Sequence, residues 1–203
     1  MLLVLGTGNR KKGVELSQLL SPFGFELKTL ADFDNAIDVV EDGDSFAANA
    51  QKKAQQQALH LGEWVLGEDS GLCVDALDGR PGIYSARYSG DGATDESNNA
   101  LLLQELAGVP LHKRTAHYVC HMSLSDDQGN VVIDCEDICR GRIIEQPRGE
   151  GGFGYDPLFE LAEYHMTFGE MGVSVKAMLS HRSRAMRRFV PQLLNAVPRP
   201  AAD

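Results

Sequence analysis

The stretch RTAHYVCHMSLS, residues 114–125, constrains the fold more than any other. Ala116, Tyr118, Cys120, Met122 and Leu124 are apolar at every second position and the residues between them are mostly polar, the period-2 pattern of a half-buried strand. DDQGN then turns the chain into VVIDCEDIC, and the pair is expected to form an antiparallel hairpin. LLVLGTGN at the start is instead a short buried strand running into a loop, and KKGVELSQLLSPFG behind it places Val14, Leu16, Leu19, Leu20 and Phe23 at helical spacing. A strand-loop-helix opening and a hairpin-rich middle together predict an α/β fold with a mixed sheet.

Other segments fill in this architecture. DSFAANAQKKAQQQALHLG puts Phe46, Ala47, Ala50, Ala54, Ala58 and Leu61 on one helical face, with Asp44 or Ser45 as N-cap and Gly62 as the stop. WVLGEDSGLCVDAL suggests a strand, an acidic turn and a second short strand. A helix is expected from about Asp95 to Leu106, EQPRGEGGFGYDP is a Gly- and Pro-rich loop, and SVKAMLSHRSRAMRRFVPQLLNAV looks like a final helix bent or broken near Pro191. At 203 residues the chain is expected to be a single domain, with room for two lobes.

A net charge of −10 argues against polymeric nucleic acid, which needs a broad basic face. It leaves open a small polyanion held by a few local cations or a metal. No apolar run approaches the roughly 20 residues of a membrane span, and MLLVLGTGNRKK lacks a basic segment ahead of its apolar run; a cytoplasmic location without membrane contact is the expectation. Cys73, Cys120, Cys135 and Cys139 form no regular framework and are expected to be reduced thiols. A zinc site joining Cys135 and Cys139 to His117 and His121 is disfavoured, because those histidines lie on a strand.

The chemistry concentrates in a few loops. GEDSG, residues 67–71, sets Glu68 beside Asp69, which is either a solvated turn or a site whose charges a cation compensates. GTGNRKK matches neither familiar phosphate-loop template. It keeps their physical core, a glycine-flexible loop at a helix N-terminus where Thr7, Asn9 and Lys12 could assist an anion, though a capped first helix explains it too. Glu41, Asp42 and Asp44 precede a helix bearing Asn49, Lys52 and Lys53, and can be helix-dipole partners or hard oxygen ligands for Mg²⁺ beside a phosphate. Phe153 and Tyr155 stand among glycines as stacking surfaces or as anchors into the core. Lys176, Ser180, His181 and Arg182 form a donor cluster or the wet face of a helix.

Taken together, TGNRKK, FAANAQKKA, EDSGLCVDALDGRPGIYSARYSG, GGFGYDPLF and SHRSRA, spread from about Leu3 to about Val190, resemble the inosine triphosphatase family, the Ham1-like XTP/dITP diphosphatases. The resemblance implies a mixed twisted sheet with flanking helices, and two lobes around a central nucleotide cleft. It also implies Mg²⁺-dependent hydrolysis of ITP, XTP and their deoxy forms to monophosphate and pyrophosphate by a homodimer. Carried over by motif, Asp69 would be the proton acceptor and, with Glu41, the metal ligand. Thr7, Gly8, Asn9, Arg10, Lys11 and Lys12 would hold the triphosphate, and Ser70, Phe153, Gly154, Tyr155, Asp156, Lys176, His181 and Arg182 would surround the nucleotide. Val40, Ala48 and Val175 stand where the family commonly carries acidic residues, which bears on the metal's support. The alternatives are a pyrophosphatase acting on other nucleotides and a nucleotide-binding module without turnover.

Overall fold

A computed structural model describes residues 2–196. Its elements are β1 (Leu2–Gly6), α1 (Arg10–Leu20), β2 (Glu26–Thr29), α2 (Phe46–Leu61), β3 (Val65–Val74), α3 (Asp95–Glu105), β4 (Thr115–Ser125), β5 (Val131–Ile143), β6 (Phe159–Leu161), β7 (Met166–Thr167), α4 (Val173–Leu179) and α5 (His181–Ala196). The strands are hydrogen-bonded in the order β2-β1-β3-β4-β5-β6-β7. β1 runs parallel to β2, with Leu3 opposite Leu27, and parallel to β3, with Leu5 opposite Leu66; α1 and α2 supply the crossovers that parallel pairing requires. β6 is antiparallel to both β5 and β7. The mixed α/β sheet expected from the sequence is therefore the observed one.

Local chemistry explains the element boundaries. Ser45 Oγ accepts from the Ala48 N–H at 3.2 Å to start α2, and Gly62, in left-handed conformation at φ 66°, ends it. In the turn between β4 and β5, Asp126 Oδ1 accepts from the N–H groups of Gln128 and Asn130 at 3.0 and 2.8 Å.

The chain divides into two compact units whose boundaries fall inside β3, β4 and β5. The first comprises the described parts of Met1–Asp69, Cys120–Asp137 and Arg182–Asp203, around a core that includes Leu3, Leu5, Leu16, Leu66, Met122, Phe189 and Leu193. The second comprises Ser70–Val119 and Ile138–His181, around Leu72, Val74, Leu102, Leu106, Tyr118, Phe159 and Phe168. Each fully buried apolar side chain of this size contributes about 1.5–3 kcal/mol.

Four local expectations need correction. GEDSG does not turn but lies within β3. A Cβ on Gly67 would fall 2.2 Å from Ala50 O and 2.7 Å from Ala54 N, so that glycine lets α2 press its backbone against a straight strand. The last helical run breaks at Ser180, whose extended backbone (φ −64°, ψ 159°) separates α4 from α5, and Pro191 lies inside α5. β4 is covered on both faces, because its polar positions His121, Ser123 and Ser125 are buried as well as its apolar ones. α2 buries Asn49, Lys53 and Gln57 beside Ala50, Ala54 and Ala58, a face rotated away from Phe46, Ala47 and Leu61.

Candidate active site

Adjacent residues of a strand point to opposite faces, and β3 uses this to part its two carboxylates. On one side, Asp69 Oδ2 accepts from Asn49 Nδ2 at 3.2 Å, and Asp69 Oδ1 accepts from Lys53 Nζ at 3.3 Å. Lys53 Nζ also donates to Glu41 Oε2 at 2.9 Å. Asn49 completes the cluster by accepting, through Oδ1, the Gly43 N–H at 2.8 Å, which ties the acidic segment ahead of α2 to the same helix face. Burial pushes the Asp69 carboxyl above its ordinary value, against the lowering pull of Lys53 and Lys12. For Lys53, burial opposes the charge, but the carboxylates of Asp69, Glu41 and Glu68 outweigh it and hold the ammonium above its usual range.

The opposite face of β3 carries a second ionic group. Glu68 Oε1 accepts from Arg182 Nε and Nη2 at 3.3 and 3.0 Å, and Glu68 Oε2 faces Lys12 Nζ at 3.0 Å. Arg182 Nη1 reaches Glu15, and Cys120 Sγ lies 3.5 Å from Glu68 Oε1. Arg182 and Glu68 are each 1% exposed. Three guanidinium nitrogens of Arg182 thus face carboxylates, and Lys12, expected among the triphosphate contacts, is also a partner of Glu68. In the first loop, Asn9 caps α1 by accepting from the N–H groups of Lys11 and Lys12 at 3.0 and 3.2 Å, and Thr7 Oγ1 accepts from the Asn9 N–H at 3.2 Å. Gly8, Arg10 and Lys11 are exposed, and no acidic residue occupies the first turn of α1.

The second unit holds the remaining candidates. Asp156 Oδ2 accepts from Lys176 Nζ at 2.7 Å and from the Phe153 N–H at 2.8 Å. The Lys176 ammonium lies 4.6 Å from the centre of the half-buried Phe153 ring. Tyr155 is an anchor: its ring is 3% exposed and its hydroxyl donates to Ser85 O at 2.8 Å. The His181 ring stacks on Tyr118 with centroids 4.5 Å apart, and Ser70 is half-buried on β3. Lys176, Ser180, His181 and Arg182 are all buried, so they are not the wet face of a helix. The zinc candidates lie elsewhere: Cys135 Sγ is near Ala185 O, Cys139 Sγ near Leu179 O, and His121 is between Asp134 and Glu136.

The sequence brought Glu41 and Asp69 forward as partners, and the structure does bring both carboxylates to one ammonium. It adds Asn49 and Lys53, to which the sequence assigned no role. Their spacing of four residues, which sets them on one face of α2, was the available signal. Among the described residues no group of three or more His, Cys, Asp or Glu side chains gathers to hold a metal by itself. One or two carboxylates are what Mg²⁺ asks of a protein when substrate phosphates and water complete its octahedron, and Glu41 and Asp69 fit that demand.

A sequence model of the Ham1 family matches residues 3–192. A dITP/XTP pyrophosphatase of Rhodopirellula baltica is 58% identical over 195 residues, which cover 96% of this chain and 94% of that one. Another dITP/XTP pyrophosphatase, from Desulforamulus reducens, is 45% identical over 195 residues and 96% of each chain. The solved HAM1 protein of Coxiella burnetii is similar with a TM-score of 0.88 and 31% identity, over 97% of this chain and 100% of its own. Agreement in sequence over nearly the whole length, together with agreement in fold, leads to one assignment: the chain belongs to the Ham1 family.

Proposed function

We propose that the protein hydrolyses deaminated purine nucleoside triphosphates, ITP, dITP, XTP and dXTP, to the nucleoside monophosphate and pyrophosphate, and so clears them from the nucleotide pool. The observation that carries this reading is Asp69, a buried carboxylate with a raised pKa that Asn49 and Lys53 hold in one orientation. A raised carboxylate is a competent proton acceptor. Asp69 takes a proton from the attacking water, while Lys53 offsets part of the negative charge of Asp69 and Glu41 and opposes the rise that burial imposes on the Asp69 carboxyl. When bound, Mg²⁺ would supply charge neutralisation of the phosphates, with Glu41 and Asp69 as its protein ligands.

Thr7, Gly8, Asn9, Arg10, Lys11 and Lys12 are assigned to the triphosphate, where the positive end of the α1 dipole and three cationic side chains favour an anion. Ser70, Phe153, Gly154, Asp156, Lys176 and His181 are assigned to the nucleoside, with Tyr155 anchoring their loop in the core. Arg182 joins them through its neighbours, as the cation that holds Glu68. The active form is proposed to be a cytoplasmic homodimer; no described helix is long and apolar enough to cross a membrane. Similarity to chains named dITP/XTP pyrophosphatase supports the substrate class.

The test is a panel of nucleoside triphosphates assayed by phosphate release with added inorganic pyrophosphatase. A 6-oxo purine accepts a hydrogen bond where adenine donates one, and a site built for the former discriminates by orders of magnitude. kcat/KM for ITP is expected at least about a hundredfold above that for ATP. Equal values would overturn the substrate assignment.

A further inference from the structure

The loop that carries Phe153 owes its shape to side chains outside it. Asp95 and Asn99 lie one turn apart at the start of α3 and therefore share a face. Asp95 Oδ2 accepts from the Gly154 N–H at 2.9 Å, and Asn99 Nδ2 donates to Gly154 O at 3.0 Å. These two groups belong to the peptide units before and after Gly154, so α3 holds both sides of that residue. Gly154 is left-handed, with φ at 61°. Glycine is the residue with the most alternatives to that conformation, and here two bonds from one helix select among them.

The consequences extend to both neighbours. The Phe153 N–H is fixed on Asp156 Oδ2, the atom that also receives the Lys176 ammonium under the Phe153 ring. Gly152 has no room for a side chain, since a Cβ there would lie 2.0 Å from Asp156 Oδ2. The direction of the Phe153 ring thus depends on a backbone that turns at Gly154.

We infer that Asp95 and Asn99 are positioning residues for nucleoside binding: they clamp the Gly154 peptides and thereby set Phe153 beside Lys176. This rests on the proposed reading that Phe153 and Lys176 face the nucleoside. Neither Asp95 nor Asn99 is assigned a contact with reacting atoms, so the clamp acts on binding and leaves the chemical step alone.

Three variants test it. Asp95→Ala removes the acceptor and also the favourable charge at the α3 N-terminus, whereas Asp95→Asn loses the charge but keeps an oxygen to accept the Gly154 N–H. Asn99→Asp conserves volume and turns the donor into an acceptor facing Gly154 O. Amide hydrogen exchange over residues 152–156 of the nucleotide-free protein is expected to speed up about tenfold in Asp95→Ala and Asn99→Asp and to stay near wild type in Asp95→Asn. In parallel, KM for ITP should rise about tenfold in the first two variants with kcat within about twofold. Unchanged exchange in Asp95→Ala, equal impairment of Asp95→Ala and Asp95→Asn, or a fall in kcat as large as the rise in KM overturns the inference. A wild-type protein inactive on ITP would instead refute the functional reading, and the exchange data would still decide whether α3 clamps the loop.

Discussion

Lys53→Met isolates the part of the site that the tertiary structure added. Methionine keeps the length and the apolar stem and deletes the ammonium that sits 3.3 Å from Asp69 Oδ1 and 2.9 Å from Glu41 Oε2. At 3.3 Å a unit charge pair is worth ~1.3 kcal/mol at the dielectric constant of water and ~5 kcal/mol at an effective value near 20. With about 1.4 kcal/mol per pKa unit, losing the pair raises the Asp69 carboxyl by at least about one unit. The larger limit is an upper bound, since water can enter the vacated space. Lys53 and Asp69 are only 8% and 6% exposed, so the bulk-water figure is the floor.

Asp69 is already held above its ordinary value by burial, and a proton acceptor works only when ionised. The acidic limb of kcat/KM for ITP, measured by pyrophosphate release from about pH 5 to 10 at fixed Mg²⁺, should therefore move up by about one unit or more in Lys53→Met. Stability should follow the same sign. The cost of an ionised Asp69 without its cation is absent below the unfolded value near 3.8 and grows as pH rises through the raised folded value. The Tm deficit of the variant relative to wild type is thus expected to be larger at pH 8 than at pH 5. An acidic limb that stays within a few tenths of a unit, or shifts downward, would refute the coupling of Lys53 to Asp69.

Asp69→Asn removes the base with almost no change of shape, and turnover should fall about 10²–10⁴-fold while Tm holds or rises; a loss under about tenfold would contradict the assigned role. Excess EDTA should abolish activity and Mg²⁺ or Mn²⁺ should restore it, and full turnover after dialysis against the chelator would exclude the carboxylate metal site. Arg182→Ala strips the buried Glu68 of a partner at 3.0 Å and leaves Glu15 facing a void, so unfolding free energy should drop by about 3–5 kcal/mol. Denaturation curves unchanged from wild type would show that the Glu68–Arg182 pair is not structural.

Much was legible in the chain alone because local chemistry dictated it. Ser45 and Gly62 bound α2 through the side-chain acceptor and left-handed backbone that those residue types supply. The alternation through Ala116, Tyr118, Cys120, Met122 and Leu124 marked β4, and those positions are buried. Wording shared across separate motifs also sufficed for the family, and that resemblance brought Asp69 and Glu41 forward.

What the sequence could not settle is where neighbours come from. GEDSG has turn-forming composition, yet it runs straight because α2 packs on Gly67, a contact between residues that only folding makes close. Lys53 and Asn49 had no role assigned from the sequence, and it is β3 that places Asp69 against them. Arg182 lies far along the chain from Glu68 and Glu15, and nothing local to it indicates that its guanidinium is buried between their carboxylates. Residue types and spacing determined which helices and strands form, since those interactions span a few residues. Which charges are compensated, and so which carboxylate has a raised pKa, was decided by tertiary structure alone, because burial and ion pairing at about 3 Å depend on segments distant in sequence.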